Sequence, residues 1–234
     1  MLRLLQPAQI NRATLIAAAQ LTEEMDRMRV PINGKGLQTQ WHTFSQELAR
    51  HQPAPPVFHA LQTVGTNDST VGPARAKKAV ACLLWMGGVP IADIERCVMA
   101  HYPGNDAAGA VRATTGRMLD VISTVIEMAR LILPAATLDD LARLLPVQLE
   151  HGVPPAAVPL AAQAGTALGR ADYLRLVAQG LIEPARIAEA AEETLLACVG
   201  GSPTRLDALR VAVTRLVDTG EEPDFAALLA ASVD

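Results

Sequence analysis

Apolar residues recur every three or four positions along almost the whole chain, and nowhere does strict alternation last long enough to build a real sheet. That period dictates an all-α fold. Prolines and glycines fall between the periodic stretches, where helix ends belong. A first helix is expected from Ala8 to about Met28, with Ile10, Ala13, Ala17, Leu21, Met25 and Met28 on one stripe. Asn33-Gly34, inside the segment Val30 to Gly36, reads as a hairpin-like turn, because this dipeptide tolerates the positive φ such turns need. A helix holding Trp41, Phe44 and Leu48 should end before Pro53, and a short one should run from Phe58 to Val64. Helices then follow closely: Ala74 to Met86, Pro90 to His101, and an uninterrupted pattern from Asp106 to Leu133, roughly 40 Å long. Beyond Pro134 come a helix to Glu150 or His151, bent or split by Pro146, a short one opened by Pro154-Pro155, and one from Gly169 to Gln179. Pro184 to Val199 and a helix capped by Ser202-Pro203 follow, with Asp224 capping a last turn. The expected architecture is a multi-helix bundle around one long central helix, followed by a degenerate helix-hairpin-helix. Three regions are expected, 1–72, 73–152 and 153–234, the first boundary in the polar loop Thr66 to Gly72.

Composition excludes several classes. Half of the 234 residues are apolar and only 19% are charged, the opposite of a disordered tail. The apolar runs fall far short of the roughly 20 residues that span a bilayer, so no membrane partner is expected. The opening MLRLLQPAQINRATL lacks the charged-then-apolar layout of a signal peptide. Cys82, Cys97 and Cys198 stand far apart in apolar contexts and read as buried thiols of a reducing compartment, which makes the expected location cytoplasmic. A net charge of −4 does not advertise a nucleic-acid binder. Gly34-Lys35-Gly36 has neither the spacing nor the hydroxyl of a phosphate-binding loop. The five histidines form no i, i+4 pair and no metal-binding HExxH, and the serines lack a nucleophile-elbow context. Asp139-Asp140 and Glu192-Glu193 are explained by capping or solvated helix faces. No catalytic residue, metal or cofactor is expected.

Two stretches carry more information. Ala167-Leu168-Gly169-Arg170-Ala171-Asp172-Tyr173-Leu174-Arg175-Leu176 leads to Gly180-Leu181, two helices joined by a glycine-bearing hairpin, with Gly165 two residues before Ala167. In such hairpins glycines let backbone amides approach a phosphate, and the adjacent helix N-terminus favours its charge. Upstream, Ala76-Lys77-Lys78-Ala79 leads to Trp85-Met86, then Val89-Pro90-Ile91-Ala92-Asp93-Ile94-Glu95, a Gly104-Asn105-Asp106 break, the long helix, and Leu149-Glu150-His151-Gly152-Val153-Pro154. In order and spacing, residues 74 to 201 resemble the C-terminal half of superfamily-two DNA helicases of the HelQ and archaeal fork-repair type. In that family a Trp-bearing helix, a long ratchet helix and a helix-hairpin-helix follow the motor domains. By the same resemblance, residues 1 to 73 correspond to the winged-helix and connecting region, with Asn33-Gly34 as the wing turn.

The periodicity of the long helix gives an independent reading. Val111, Thr115, Met118, Ile122, Val125, Ala129 and Ile132 form an apolar seam, leaving a narrow strip of Gly109, Arg112, Gly116, Asp120, Ser123, Glu127 and Arg130. The resemblance implies an Arg and a Trp gripping a single strand on that strip; an ungapped placement puts those positions at Gly109 and Gly116. Two glycines there suggest instead that another chain or strand backbone approaches closely, a partner interface. The nucleic-acid contacts implied are Arg112, Arg117 and Arg130 along the groove, Gly165, Gly169, Arg170 and Arg175 at the hairpin, and Lys77 and Lys78 upstream. The expected function is a non-catalytic, helicase-associated DNA-processing module, binding single-stranded or forked DNA and a separate superfamily-two ATPase chain. The alternative is a protein-interaction scaffold of helicase-like ancestry that binds no nucleic acid.

Overall fold

The computed structural model describes residues 5–65, 68–99 and 108–218. Among these the chain is all-helical, with no strand and thirteen α-helices. It divides into two units: residues 1–85 with 89–150, and residues 86–88 with 151–234.

The first unit contains α1 (Arg12–Ala19), α2 (Glu23–Asp26), α3 (Leu37–Arg50), α4 (Pro55–Thr63), α5 (Val71–Met86, but for its last residue), α6 (Ile91–Met99), α7 (Ala108–Ile132) and α8 (Asp139–His151, but for its last residue). The single first helix expected from residue 8 to 28 is broken in two. The Asn11 side chain accepts the Thr14 N–H at 2.8 Å and starts α1, and the Thr22 hydroxyl accepts the Met25 N–H at 3.4 Å and starts α2. Ala13 to Ala19 are all buried, and the four alanines among them let α1 pack closely while Leu15 and Ile16 fill the core; α1 contacts both α4 and α7. Thr14 ties this core together: its hydroxyl donates to the Gln9 carbonyl and accepts the Ala54 N–H, each at 2.9 Å.

Asn33-Gly34 is not a wing turn. Asn33 has φ −83°, its side chain accepts the Lys35 N–H at 3.0 Å, and Gly34–Gly36 form one 3-10 turn leading into α3. Its carbonyl accepts the buried Gln40 amide at 2.7 Å, so local side-chain bonding overrides the hairpin preference of the dipeptide. The boundary expected at residue 72 has no counterpart either. Regions 1–72 and 73–152 share one unit, because α7 packs against α1, α2 and α6, and Arg75 on α5 pairs with Asp26. Apart from residues 86–88, the second unit begins at residue 151. Pro146 does not split α8, which runs through it. The Trp85 indole N–H donates to the Leu149 carbonyl at 2.8 Å, joining α5 to the far turn of α8.

The second unit contains α9 (Val158–Ala164), α10 (Arg170–Ala178), α11 (Pro184–Glu189), α12 (Glu192–Cys198) and α13 (Pro203–Asp218). Its core is Leu160, Tyr173, Leu176, Ile187, Leu195, Leu206 and Leu209. The one helix expected from residue 184 to 199 is two. Ala190 turns extended (ψ 142°), which lets α11 reach α13 while α12 packs on both α10 and α13. Gly180 closes α10 with φ +67°, and the Leu181 N–H returns to the Leu176 carbonyl at 2.8 Å, a glycine stop the sequence signals directly. The expected cap at Asp224 lies outside the described residues.

Gln52 is the one non-glycine residue with positive φ (51°) among the described residues, closing α3 where its N–H donates to the Ala49 carbonyl at 3.0 Å. A side chain there carries a left-handed backbone penalty of about 1–2 kcal/mol, partly offset by the unfolded-state freedom a glycine adds. Gln52→Gly therefore stabilises the first unit by about 1 kcal/mol, read as a higher urea midpoint at unchanged m; an unchanged or lower midpoint refutes the assignment.

Candidate functional site

The cations expected to meet phosphate take three different positions. Lys77 and Lys78 lie inside the first unit, 0% and 1% exposed, and this corrects their assignment to a nucleic-acid surface. The Lys77 ammonium donates to the Pro31 carbonyl at 2.6 Å and sits 5.3 Å from the centre of the Phe44 ring. The Lys78 ammonium donates to the Met25 carbonyl and, at 3.4 Å, to that of Met28. Arg75 beside them clasps Asp26 through Nε at 2.9 Å and Nη2 at 2.5 Å, and donates to the Val64 carbonyl at 2.7 Å. Of these three cations on the early turns of α5, Arg75 has an acidic partner, the internal Asp26, and the two lysines have backbone carbonyls. Burial pulls the pKa of Lys77 down to about 8, against a smaller upward pull from Cys97. Burial also takes Lys78 to about 8, with Asp26 opposing the shift.

At the hairpin, the amide expected to cradle phosphate is already held. The Gly169 N–H donates at 2.8 Å to Asp172, whose carboxylate is 1% exposed and closes the N-terminus of α10. Arg175 pairs with the same carboxylate, and Arg205 approaches it at 3.3 Å. Arg175 also donates from Nε to the Cys198 carbonyl at 2.6 Å. Arg170 is half-buried, donates from Nε to the Gly152 carbonyl at 2.8 Å, and has its pKa lowered to about 10 by burial. Gly165, at φ +54°, closes α9 and accepts the Tyr173 hydroxyl at 2.7 Å. A carboxylate at the helix mouth and arginines turned to internal acceptors describe a self-contained hairpin. The spacing Gly169-x-x-Asp172 is a capping-box spacing, and it was the signal that sequence reasoning passed over.

The α7 residues form a surface. Val111, Thr115, Met118, Ile122, Val125 and Ala129 are buried as the seam predicts. Opposite them, Gly109, Arg112, Ala113, Gly116, Arg117, Asp120, Ser123, Thr124, Glu127, Met128 and Leu131 are exposed. The open face is thus wider than the strip expected, and it is less polar: Met128 is 49% and Leu131 is 83% exposed. A Cβ built on Gly109 or Gly116 would meet nothing within 4 Å, so neither glycine is required by a contact among the described residues. Arg117 pairs with Asp120 at 3.1 Å, and Arg130 is half-buried between Glu127 at 2.5 Å and Asp139 at 2.7 Å. Arg112 makes no ion pair among the described residues. A shallow groove of about 290 Å³ runs along one edge of the face, lined by Thr22, Glu24, Arg117, Asp120, Thr124 and Met128. Sequence reasoning missed Met128 and Leu131, although Met128 directly follows Glu127 of the polar strip and Leu131 lies one helical turn beyond it.

Among the described residues no cluster of three or more His, Cys, Asp or Glu could hold a metal ion, and no helix is long and apolar enough to cross a membrane. No protein-family model matches the chain, and no curated protein or solved structure matches it either.

The two buried lysines impose a pH dependence. Between their folded pKa of about 8 and the ordinary value of 10.5, the unfolded chain binds protons that the folded chain has released, so stability rises with pH across that window. Burial pushes the Cys82 thiol up to about 12 from 9.0, and this works in the opposite direction above pH 9. The lysines therefore dominate between pH 8 and 9, contributing up to about 1.4 kcal/mol per lysine over that unit. Urea midpoints of the native chain should climb from pH 8 to 9, and those of Lys77→Met/Lys78→Met should not climb. A native chain that is flat or falling there contradicts the burial assigned to these ammonium groups.

Proposed function

We propose that this chain is a non-catalytic, all-α interaction subunit whose contact surface is the exposed face of α7, and that its partner there is another protein helix. The observation that carries this reading is the composition of the face. Small residues (Gly109, Ala113, Gly116) leave its first half low, while Met128 and Leu131 stand out at its far end. Low small-residue surfaces let a second helix backbone approach, and protruding apolar side chains gain from being covered. Charge supports the same choice. Arg112 and Arg117 are balanced by Asp120 and Glu127 along the face, whereas binding a phosphate backbone calls for uncompensated cations.

The helicase-associated reading, with single-stranded or forked DNA and a separate superfamily-two ATPase chain as partners, is favoured by one observation: Arg112 is exposed and forms no ion pair among the described residues. The two readings respond differently to salt. A photo-crosslinking side chain at Ser123 or Thr124 should give protein adducts that persist near 1 M salt, where the Debye length is about 3 Å. The same group at Thr204 on α13 should give none, and Leu131→Asp should abolish the α7 adducts. Labelled forked DNA should show no binding that Arg112→Glu/Arg117→Glu weakens. Absence of α7 adducts together with a salt-steep DNA affinity lost in that double variant would overturn the interaction reading in favour of the DNA module.

A further inference from the structure

The order of residues along the open face of α7 specifies what covers it. We propose that a second copy of this chain does so, with the two α7 helices antiparallel about a two-fold axis passing at Asp120. The inference rests on α7 being the contact face. Its support is the self-complementarity of that face in size and in charge.

An antiparallel pair centred on residue 120 sets position n against position 240 − n of the other helix. Gly109 then faces the partner's Leu131, so the most exposed large apolar side chain among the described residues enters the lowest point of the opposing surface. Gly116 faces the partner's Thr124, and Ala113 lies beside the partner's Met128. Leu131 at the C-terminal end of the face thus meets a glycine from the N-terminal end, and Met128 has an alanine beside it. No parallel pairing achieves this, because it sets Leu131 against the partner's Leu131 and leaves both glycines facing each other across a gap.

Charge makes the same selection. The two exposed arginines, Arg112 and Arg117, precede the two exposed carboxylates, Asp120 and Glu127. Antiparallel pairing brings the N-terminal arginines of one helix towards the exposed carboxylates of the other, of which Glu127 also pairs with the half-buried Arg130 of its own helix. Arg112 comes within a residue of the level of the partner's Glu127. Arg117 comes within one turn of the partner's Asp120, so that two arginines flank the two Asp120 carboxylates at the axis. Arg117 already pairs with Asp120 of its own helix, which holds both groups on this face. Parallel pairing would set Arg112 on Arg112 and Glu127 on Glu127, a repulsive order at every level. The arrangement is isologous and closed, so it yields a dimer and not a filament.

Light scattering or sedimentation of the full chain across a concentration series should show a monomer–dimer equilibrium. Arg112→Glu or Glu127→Arg alone should weaken it about a hundredfold, about tenfold for each of two symmetry-related pairs, and the double swap should restore it. Disulfide trapping in a Cys97→Ser background reads the orientation. Asp120→Cys should give a covalent dimer by itself. Gly109→Cys and Leu131→Cys should each give none alone, since like positions stand about 33 Å apart along the axis, yet should link when mixed. All these positions are exposed, and circular dichroism checks that each variant folds. A chain that stays monomeric, with no Asp120→Cys dimer, overturns the self-pairing. If salt-resistant α7 adducts to a different protein persist in that case, the interaction reading stands without it, and if they are absent too, both fall. Self-linking of Gly109→Cys alone would establish parallel pairing and overturn the antiparallel arrangement.

Discussion

The first unit depends on three cations taken out of water. The chain between α1 and α3 contains little regular helix, so its carbonyls at Met25, Met28 and Pro31 need donors that secondary structure does not supply. Lys78 and Lys77 reach them from α5, and Arg75 holds Asp26 and the end of α4 in the same layer. An isolated ammonium in an apolar interior is strongly unfavourable, and here each has carbonyl acceptors, with an aromatic face beside Lys77. Replacing any one cation strands its partners, because the carbonyls would stay buried without a donor. Through these bonds the irregular segment 20–36 is fixed against α5, and α2 is set where it can pack on α7.

Asp172 has the equivalent position in the second unit. Its buried carboxylate caps α10 through the Gly169 amide and gathers Arg175 and Arg205, while Arg175 also holds the carbonyl of Cys198 at the end of α12. One charge thereby connects α10, α12 and α13. A buried carboxylate with one amide donor and two guanidinium partners is a stable arrangement, but removing it would leave two arginines competing for water at the edge of a small core. The hairpin geometry that resembles a phosphate cradle is thus built around a negative charge that belongs to the protein itself.

The parts legible in the sequence were those set by periodicity and by stops. The helical class, α3, α7 with its buried seam, and the glycine closure of α10 all follow from apolar spacing and from residues whose backbone preferences act locally. What could not be read depends on contacts distant along the chain. Lys77 and Lys78 look like surface cations until Pro31, Met25 and Met28 are brought beside them from about fifty residues away. The break of the first helix at Thr22 was written locally, as a capping threonine followed by Glu23 and Glu24, but apolar spacing on both sides masked it. Arg170 and Arg175 were taken as available because a sequence displays charge without displaying acceptors. At α7 the strip was located correctly and its width was not. Arg130 is half-covered and pairs with Asp139 at the start of α8, while Met128 and Leu131 stay outside, a difference set by a neighbour the periodicity of α7 does not display.

That outcome bears on what α7 is suited to touch. A helix that follows a nucleic-acid backbone gains from each unneutralised cation it presents, and most of the arginines and lysines expected in that role are bound within the fold, Arg117, Arg130 and Arg175 to carboxylates and Lys77, Lys78 and Arg170 to carbonyls. The carboxylates responsible are not incidental. Asp26, Asp172, Asp139 and Glu127 each accept from an arginine that would otherwise be available; Asp26 and Asp139 come from a different element than the arginine they hold, and Asp172 and Glu127 from the turn before it. What remains at the surface of α7 is nearly neutral, low at one end and apolar at the other. Such a face has little to offer a uniform line of phosphates. Its opposite ends differ in size and in charge, and a surface with that polarity is matched best by one that reverses both.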